Sequence, residues 1–396
     1  MPAVVPQRRF DVNDHTSMKR KLYLASALIF LGSVPAMNSV AQDSKATAGK
    51  VAAMAASFFG TLDDTQRSNV VFDFKNEAQR KRWSNLPIGS VPRAGLRMGD
   101  LTQPQRDAVL AMLSAALSHD GYEKVMQIVE GDEVLKTGDG GRPGGPGGPG
   151  GRRDGPPGGR RDGPPPGGPG GPGGRGGPGG GGSQFGRDNY YVSILGQPSP
   201  TEPWMIQFGG HHLGLNITYA GKEATLAPSH TGAQPAIYQL EGKTVRPLGR
   251  EVDKAFALVS SLDEAQRKQA ILGVQMRDLV LGPGHDGQTI QPEGIKGSAL
   301  TEKQREMMLD LAGEWTGIMN DAVAKAKMAQ MKKDVAETWF AWSGPTEKDA
   351  AAYFRVQGPS VFIEYAPQRL GGDATKHIHT IYRDPANDYG VNWWKK

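Results

Sequence analysis

Near its C-terminus the chain reads H-I-H-T-I-Y-R-D-P-A-N-D-Y-G over residues 377–390, which places His377, His379, Arg383, Asp384, Asp388 and Tyr389 close together. These residue types bind metals and move protons. The spacing of two between His377 and His379 puts both imidazoles on one face of an extended strand, a simple way to supply two metal ligands. A third ligand is available from His211, His212, His285 or a carboxylate such as Asp384 or Asp388. Imidazole with carboxylate suits zinc, iron or copper. Arg383 is suited to an anionic or polar substrate group, and Asp384 to a base or a support behind a ligand. A second reading uses the same residues as a brace: Arg383 pairs with Asp384 or Asp388, and Asn387-Asp388-Tyr389-Gly390 makes a turn that ties down the tail.

Two further places invite chemistry. His211-His212 follow Gly209-Gly210, and His285-Asp286 sit in a glycine-rich loop, Gly282-Pro283-Gly284 before and Gly287 after, where a ligand can approach the backbone. With Asp388 and Tyr389, His285 and Asp286 are the candidate ligand contacts. Arg80-Lys81-Arg82-Trp83 offers cations and an aromatic face, although a solvated helix face has the same composition. His119-Asp120-Gly121 reads as a helix C-terminus, where a cation complements the dipole. The folded part contains no G-x-S-x-G elbow, P-loop, dinucleotide turn after a strand, or H-E-x-x-H helix. Cys is 0, which excludes thiolate nucleophiles, disulfides and cysteine-ligated zinc.

The elements that must position these groups come in two sets. Leu62-Asp63-Asp64-Thr65-Gln66-Arg67 returns as Leu262-Asp263-Glu264-Ala265-Gln266-Arg267, and Leu101-Thr102-Gln103-Pro104-Gln105-Arg106 as Leu300-Thr301-Glu302-Lys303-Gln304-Arg305. Between them Gly95-Leu96-Arg97 parallels Gly294-Ile295-Lys296, all at nearly constant offset. Asp63, Asp263, Thr102 and Thr301 stand where helices begin. Strand-like runs follow at residues 190–195, 205–208 and 213–219, and again at 338–342, 353–356 and 361–365. Their connections are too short for parallel crossovers. The expectation is an α+β fold of two related halves, 50–245 and 246–396, each made of helices followed by an antiparallel meander and packed about a pseudo-two-fold axis. His211-His212 align with Pro359-Ser360, and His230-Thr231 with His379-Thr380. Polar groups are therefore shared out between the halves, and one composite site is expected, built from His211 and His212 of one half and His377, His379, Arg383 and Asp384 of the other.

At the N-terminus Met18-Lys19-Arg20-Lys21 precedes an apolar run at 22–34 and small residues at Ser39-Val40-Ala41, the pattern of a cleaved leader with Met18 as initiator and cleavage near Ala41. The apolar run is shorter than the roughly 20 residues of a membrane span. An exported, periplasmic or secreted protein is expected, with no transmembrane segment after cleavage. Residues 138–186, rich in Gly, Pro, Arg and Asp, interrupt the first half. Glycine is not at every third position there, so no collagen helix forms, and the scarcity of apolar side chains predicts disorder. Much of the formal charge of +5 sits in the leader and this segment. No basic patch with interleaved aromatics suggests nucleic acid. The expected partner is a small-molecule or polymer ligand.

Taken together, Gly210-His211-His212-Leu213-Gly214-Leu215-Asn216, the loop at 282–287 and the H-x-H…R-D-P…N-D-Y-G tail resemble the bacterial family catalogued as domain of unknown function 3500. The resemblance runs from about Ala52 to Trp394, apart from the glycine-rich segment. It implies no activity. From the residues, two functions compete, an exported, metal-dependent hydrolase or oxidase and a non-catalytic protein that binds a ligand or metal; a structural envelope component with the tail as an internal brace stands behind them.

Overall fold

The computed structural model describes residues 39–138, 184–369 and 372–394. The expected leader up to residue 38 and most of the glycine-rich segment lie outside the described residues. The first helices are α1 (Ser39–Gly60), α2 (Asp64–Val70), α3 (Glu77–Arg80), α4 (Gln103–Ala116) and α5 (His119–Thr137). Two short strands, β1 (Val71–Phe72) and β2 (Leu96–Arg97), lie among them. Next come β3 (Tyr191–Leu195), β4 (Trp204–Gly210), β5 (Leu213–Ala220), β6 (Glu223–Thr225), β7 (Ser229–Ala233) and the small hairpin β8 (Tyr238–Leu240) with β9 (Lys243–Val245). The second series is α6 (Gly249–Ser261), α7 (Glu264–Ala270), β10 (Ile295–Lys296), α8 (Glu302–Thr316), α9 (Asp321–Asp334), β11 (Trp339–Ser343), β12 (Tyr353–Gly358), β13 (Val361–Pro367) and β14 (Ile378–Arg383).

The repeated sequence segments have a local purpose. Asp63 accepts a hydrogen bond from the Gln66 backbone and Gln66 answers from its side chain; Asp263 and Gln266 do the same. The Gln105 amide then donates to Gln66 Oε1, as Gln304 does to Gln266 Oε1, each at 2.8 Å. Each capping box thus starts a short helix and locks it to the longer helix that follows.

Among the described residues a sheet of twelve strands has the path β1-β3-β4-β5-β7-β14-β13-β12-β11-β10, with β2 beside β3 and β6 beside β5. All pairs are antiparallel except β1 with β3, a parallel contact that the sequence pattern did not indicate. The two meanders meet at β7 and β14, where Thr231 faces Thr380 and their hydroxyls lie 2.7 Å apart. The protein is thus of mixed α+β class with one large mixed sheet.

Strand alternation gives this sheet two unlike faces. On one, Trp204, Ile206, Leu213 and Leu215 pack with Val109, Met112 and Leu113 of α4. Further along the same face, Phe354, Val356 and Ile363 pack with Leu311 and Trp315 of α8. The other face carries Gln207, Asn216, His230, Arg355, Glu364, His379 and Arg383, all buried. Its cover is irregular chain. Trp83 and Leu281 pack there with Phe362, Ile381 and Tyr389. Glu364 takes backbone N–H groups from Val280 and Leu281 and the Tyr353 hydroxyl at 2.6 Å.

One local expectation is overturned. His119, Asp120 and Gly121 open α5 rather than closing a helix, because the Ser118 hydroxyl caps the Gly121 N–H at 2.9 Å. The chain reverses there against the equivalent reversal between α8 and α9, with Ser118 N–H donating to Ile318 O at 3.0 Å.

Candidate functional site

Four of the histidines picked out from the sequence come together on the polar face. β14 and the extended residue before it aim His377 and His379 to one side, with ring centroids 4.8 Å apart. His212 comes from the turn between β4 and β5, held in the left-handed region at φ 61°. That conformation is uncommon for a residue with a side chain. It is fixed by His212 N–H donating to Asn85 O and by His212 O accepting from Gly232 N–H at 2.7 Å.

The three rings converge through the same atom. His212 Nε2 lies 2.9 Å from His377 Nε2, which lies 3.1 Å from His379 Nε2. One potential ligand atom from each falls within 4.8 Å of the others, and all three residues are buried. Hydrogen bonding alone does not account well for this, since one ring nitrogen offers either a single N–H or a single lone pair. A tetrahedral ion about 2.0–2.1 Å from each nitrogen would hold them about 3.3 Å apart, close to the observed spacing. Burial, and then the neighbouring imidazoles, holds His212 well below the usual histidine range. The neutral ring is the form that ligates.

Groups behind the three rings fix them further. His211 stacks on His212 at 3.6 Å between centroids, and its Nδ1 meets the buried Asp132 carboxylate at 2.6 Å. Asp278, on an exposed loop, comes within 3.7 Å of His379 Nδ1. Burial raises the Asp278 carboxyl, but the His379 contact and the Leu279 N–H outweigh it and leave a net lowering. The Asn85 amide lies 3.4 Å from both nitrogens of His379. Carboxylates behind ligating imidazoles orient the ring and set its tautomer.

The expected composite site is only partly assembled. Arg383 points to the same face as His379, but four residues further along β14 that is roughly 13 Å away. Four of its five N–H groups are engaged, donating to Leu281 O, Gly282 O, Asp286 and Asp388. Its pairing with Asp388 is the one the bracing reading of the tail describes. Asp384 turns away and pairs with Lys327 at 2.6 Å. His285 is exposed and reaches Gln288 instead of the cluster. Asp286, Arg383, Asp388 and Tyr389 border a separate cleft of ≈ 500 Å³, with Arg80, Phe362 and Trp394 on its walls. Tyr389, at φ 57°, anchors the tail beside it: its hydroxyl accepts from Trp83 Nε1 at 2.7 Å and donates to Asp286 at 2.8 Å.

Sequence reasoning missed the groups around the three rings: Asp132, Asn85, Asp278, and the buried His230, whose ring centroid lies 5.3 Å from that of His379. His230 entered only as the counterpart of His379. The signal that could have raised it is the glycine two positions on, since glycine inside a strand often marks close approach of another group.

A family model described as Protein of unknown function (DUF3500) matches residues 44–391. No curated protein and no solved structure matches the chain.

Proposed function

The chain belongs to the DUF3500 family, and from its geometry we propose that it binds one transition-metal ion, zinc or copper before others, through His212, His377 and His379. The observation that carries this is the convergence of three buried Nε2 atoms at 2.9 and 3.1 Å. Neutral imidazoles favour these metals, and the absence of cysteine leaves no thiolate to compete. Asp278 and Asn85 support His379 from outside, and Asp132 holds His211 against His212.

The reading includes one site shared by two duplicated halves. The pairs Tyr191 with Gly209 and Gly210 with Leu213 have counterparts at constant offset in Trp339 with Gln357 and Gly358 with Val361. Thr231 and Thr380, aligned from sequence, face each other where the halves join. It also includes export, supported by the basic residues 19–21, the apolar run 22–34 and the small residues before Gln42. N-terminal sequencing of the protein from its native host should begin at Gln42; a sequence beginning at Met1 or Met18 would remove that part.

The metal is tested by elemental analysis. Purified protein saturated with zinc and then desalted should retain close to one zinc per chain. The His377→Ala, His379→Ala double variant should retain almost none. Equal zinc in the two proteins would sink the assignment.

A further inference from the structure

We propose that the cleft beside the C-terminal turn is a second binding site, separate from the histidines, and that its ligand is an uncharged, polyhydroxylated molecule of the sugar class. The proposal goes beyond the metal reading and does not depend on it.

Three pieces of chain build the cleft. One is the loop at 285–292, shaped by Gly284 and Gly287 in the left-handed region at φ 87° and 76°. The second is the turn from β12 to β13, with Gln357, Gly358 and Pro359, and the third is the tail at 385–394. Gln357 ties the first two together, donating from Nε2 to Ile290 O at 2.7 Å. The volume of ≈ 500 Å³ falls within the roughly 300–1,000 Å³ of small-ligand clefts. In the duplicated reading above, this turn corresponds to the one that presents His212. The same place in the two halves thus borders two different sites.

Charge decides the class of ligand. Arg80, Lys81 and Arg383 stand in the wall with Glu77, Asp286 and Asp388, so three cations meet three carboxylates. Each cation already has partners. Arg383 pairs with Asp286 and Asp388 at 3.2 and 2.8 Å, and Lys81 with Glu77 at 3.5 Å. Arg80 donates to Tyr389 O at 2.9 Å and to Phe74 O, and its guanidinium lies over the Trp394 ring at 4.4 Å. An ionic ligand would have to displace one of these partners and leave a charge unpaired.

The rest of the wall is neutral. Gln288, Thr289 and Gln291 offer exposed amides and a hydroxyl, and Ile290, Phe362 and Trp394 supply apolar surface. Hydrogen-bonding capacity also stays unmet there. Gln357 Oε1 is buried without a partner. Among the described residues four of the five Arg383 N–H groups are used, which leaves one donor. A hydroxyl both accepts and donates, so it answers these groups without bringing charge. A ring of carbons bearing several hydroxyls also has C–H faces to lay against aromatic side chains.

The test is calorimetric titration of the full chain, stripped of metal, with maltose, cellobiose and N,N′-diacetylchitobiose, and with digalacturonate and diglucosamine as charged comparators. At least one neutral disaccharide should bind, at least tenfold more tightly than either comparator. Hydrogen–deuterium exchange of the unsubstituted chain should then show protection at 285–292 and 385–394, and Trp394→Ala should weaken binding at least tenfold. No binding of any neutral disaccharide would overturn the proposal, as would tighter binding of a charged one or protection elsewhere in the chain. Zinc loading should leave the sugar affinity unchanged; a zinc-dependent affinity would move the ligand to the histidines and overturn the proposal too. The exchange measurement needs no substitution, so the outcome does not depend on how the variant folds.

Discussion

At the scale of single residues, the tail divides into two kinds of polar group. His377 and His379 turn toward other imidazoles, while Arg383, Asp388 and Tyr389 satisfy one another and the loop at 281–286. Asp388 shows the cost of the second arrangement. Burial pushes its carboxyl up to about 6, although the Arg383 guanidinium beside it pulls the other way. The folded chain then holds the Asp388 proton more tightly than the unfolded chain does. This contribution to stability is therefore greatest below about pH 4 and declines as pH rises toward 6. Urea midpoints measured from pH 4 to 7 should show a smaller decline for Asp388→Asn than for the unsubstituted chain; parallel curves would mean the carboxyl is not perturbed. The histidine pair on one strand face was legible from spacing alone, and His211-His212 from their place in the second half's alignment. Arg383 was misplaced because sequence order says nothing about which of two neighbouring polar networks takes a side chain. His230 was passed over because its neighbour His379 reaches it only through the pairing of β7 with β14, which nothing local encodes.

At the scale of elements, the six meander strands read from alternation and turn residues all appear, with ends shifted by a residue or two. The repeated Asp and Thr caps likewise mark real helix starts. What alternation could not supply was the order of strands across the sheet, since pairing of β7 with β14 joins segments about 150 residues apart and nothing local encodes it. That junction has its own polar lock. The Thr380 hydroxyl meets Thr231 Oγ1 at 2.7 Å and accepts from Trp315 Nε1 at 3.0 Å. Thr380→Val strands two buried partners, and Thr231→Val only one. The first should cost about 2–4 kcal/mol and the second about half that, with the double variant well short of their sum. Chemical denaturation of the four proteins measures the coupling; strict additivity would show that the two hydroxyls act independently.

At the scale of the whole molecule, the two series of helices and strands share more than a seam in the sheet. Lys124 of α5 lies 2.5 Å from the buried Glu251 of α6 and 3.4 Å from Glu314 of α8. Burial pushes the Glu251 carboxyl up, with Lys124 opposing that rise. A charge this deep depends on its partner from the other series, so neither series is complete without the other. Among the described residues no helix is long and apolar enough to cross a membrane. The sheet itself ends in β1 and β10, each only two residues long. A broad sheet usually risks recruiting another chain along its rim, where unpaired N–H and C=O groups act as a template for aggregation. Among the described residues the rim strands are too brief to offer such a template.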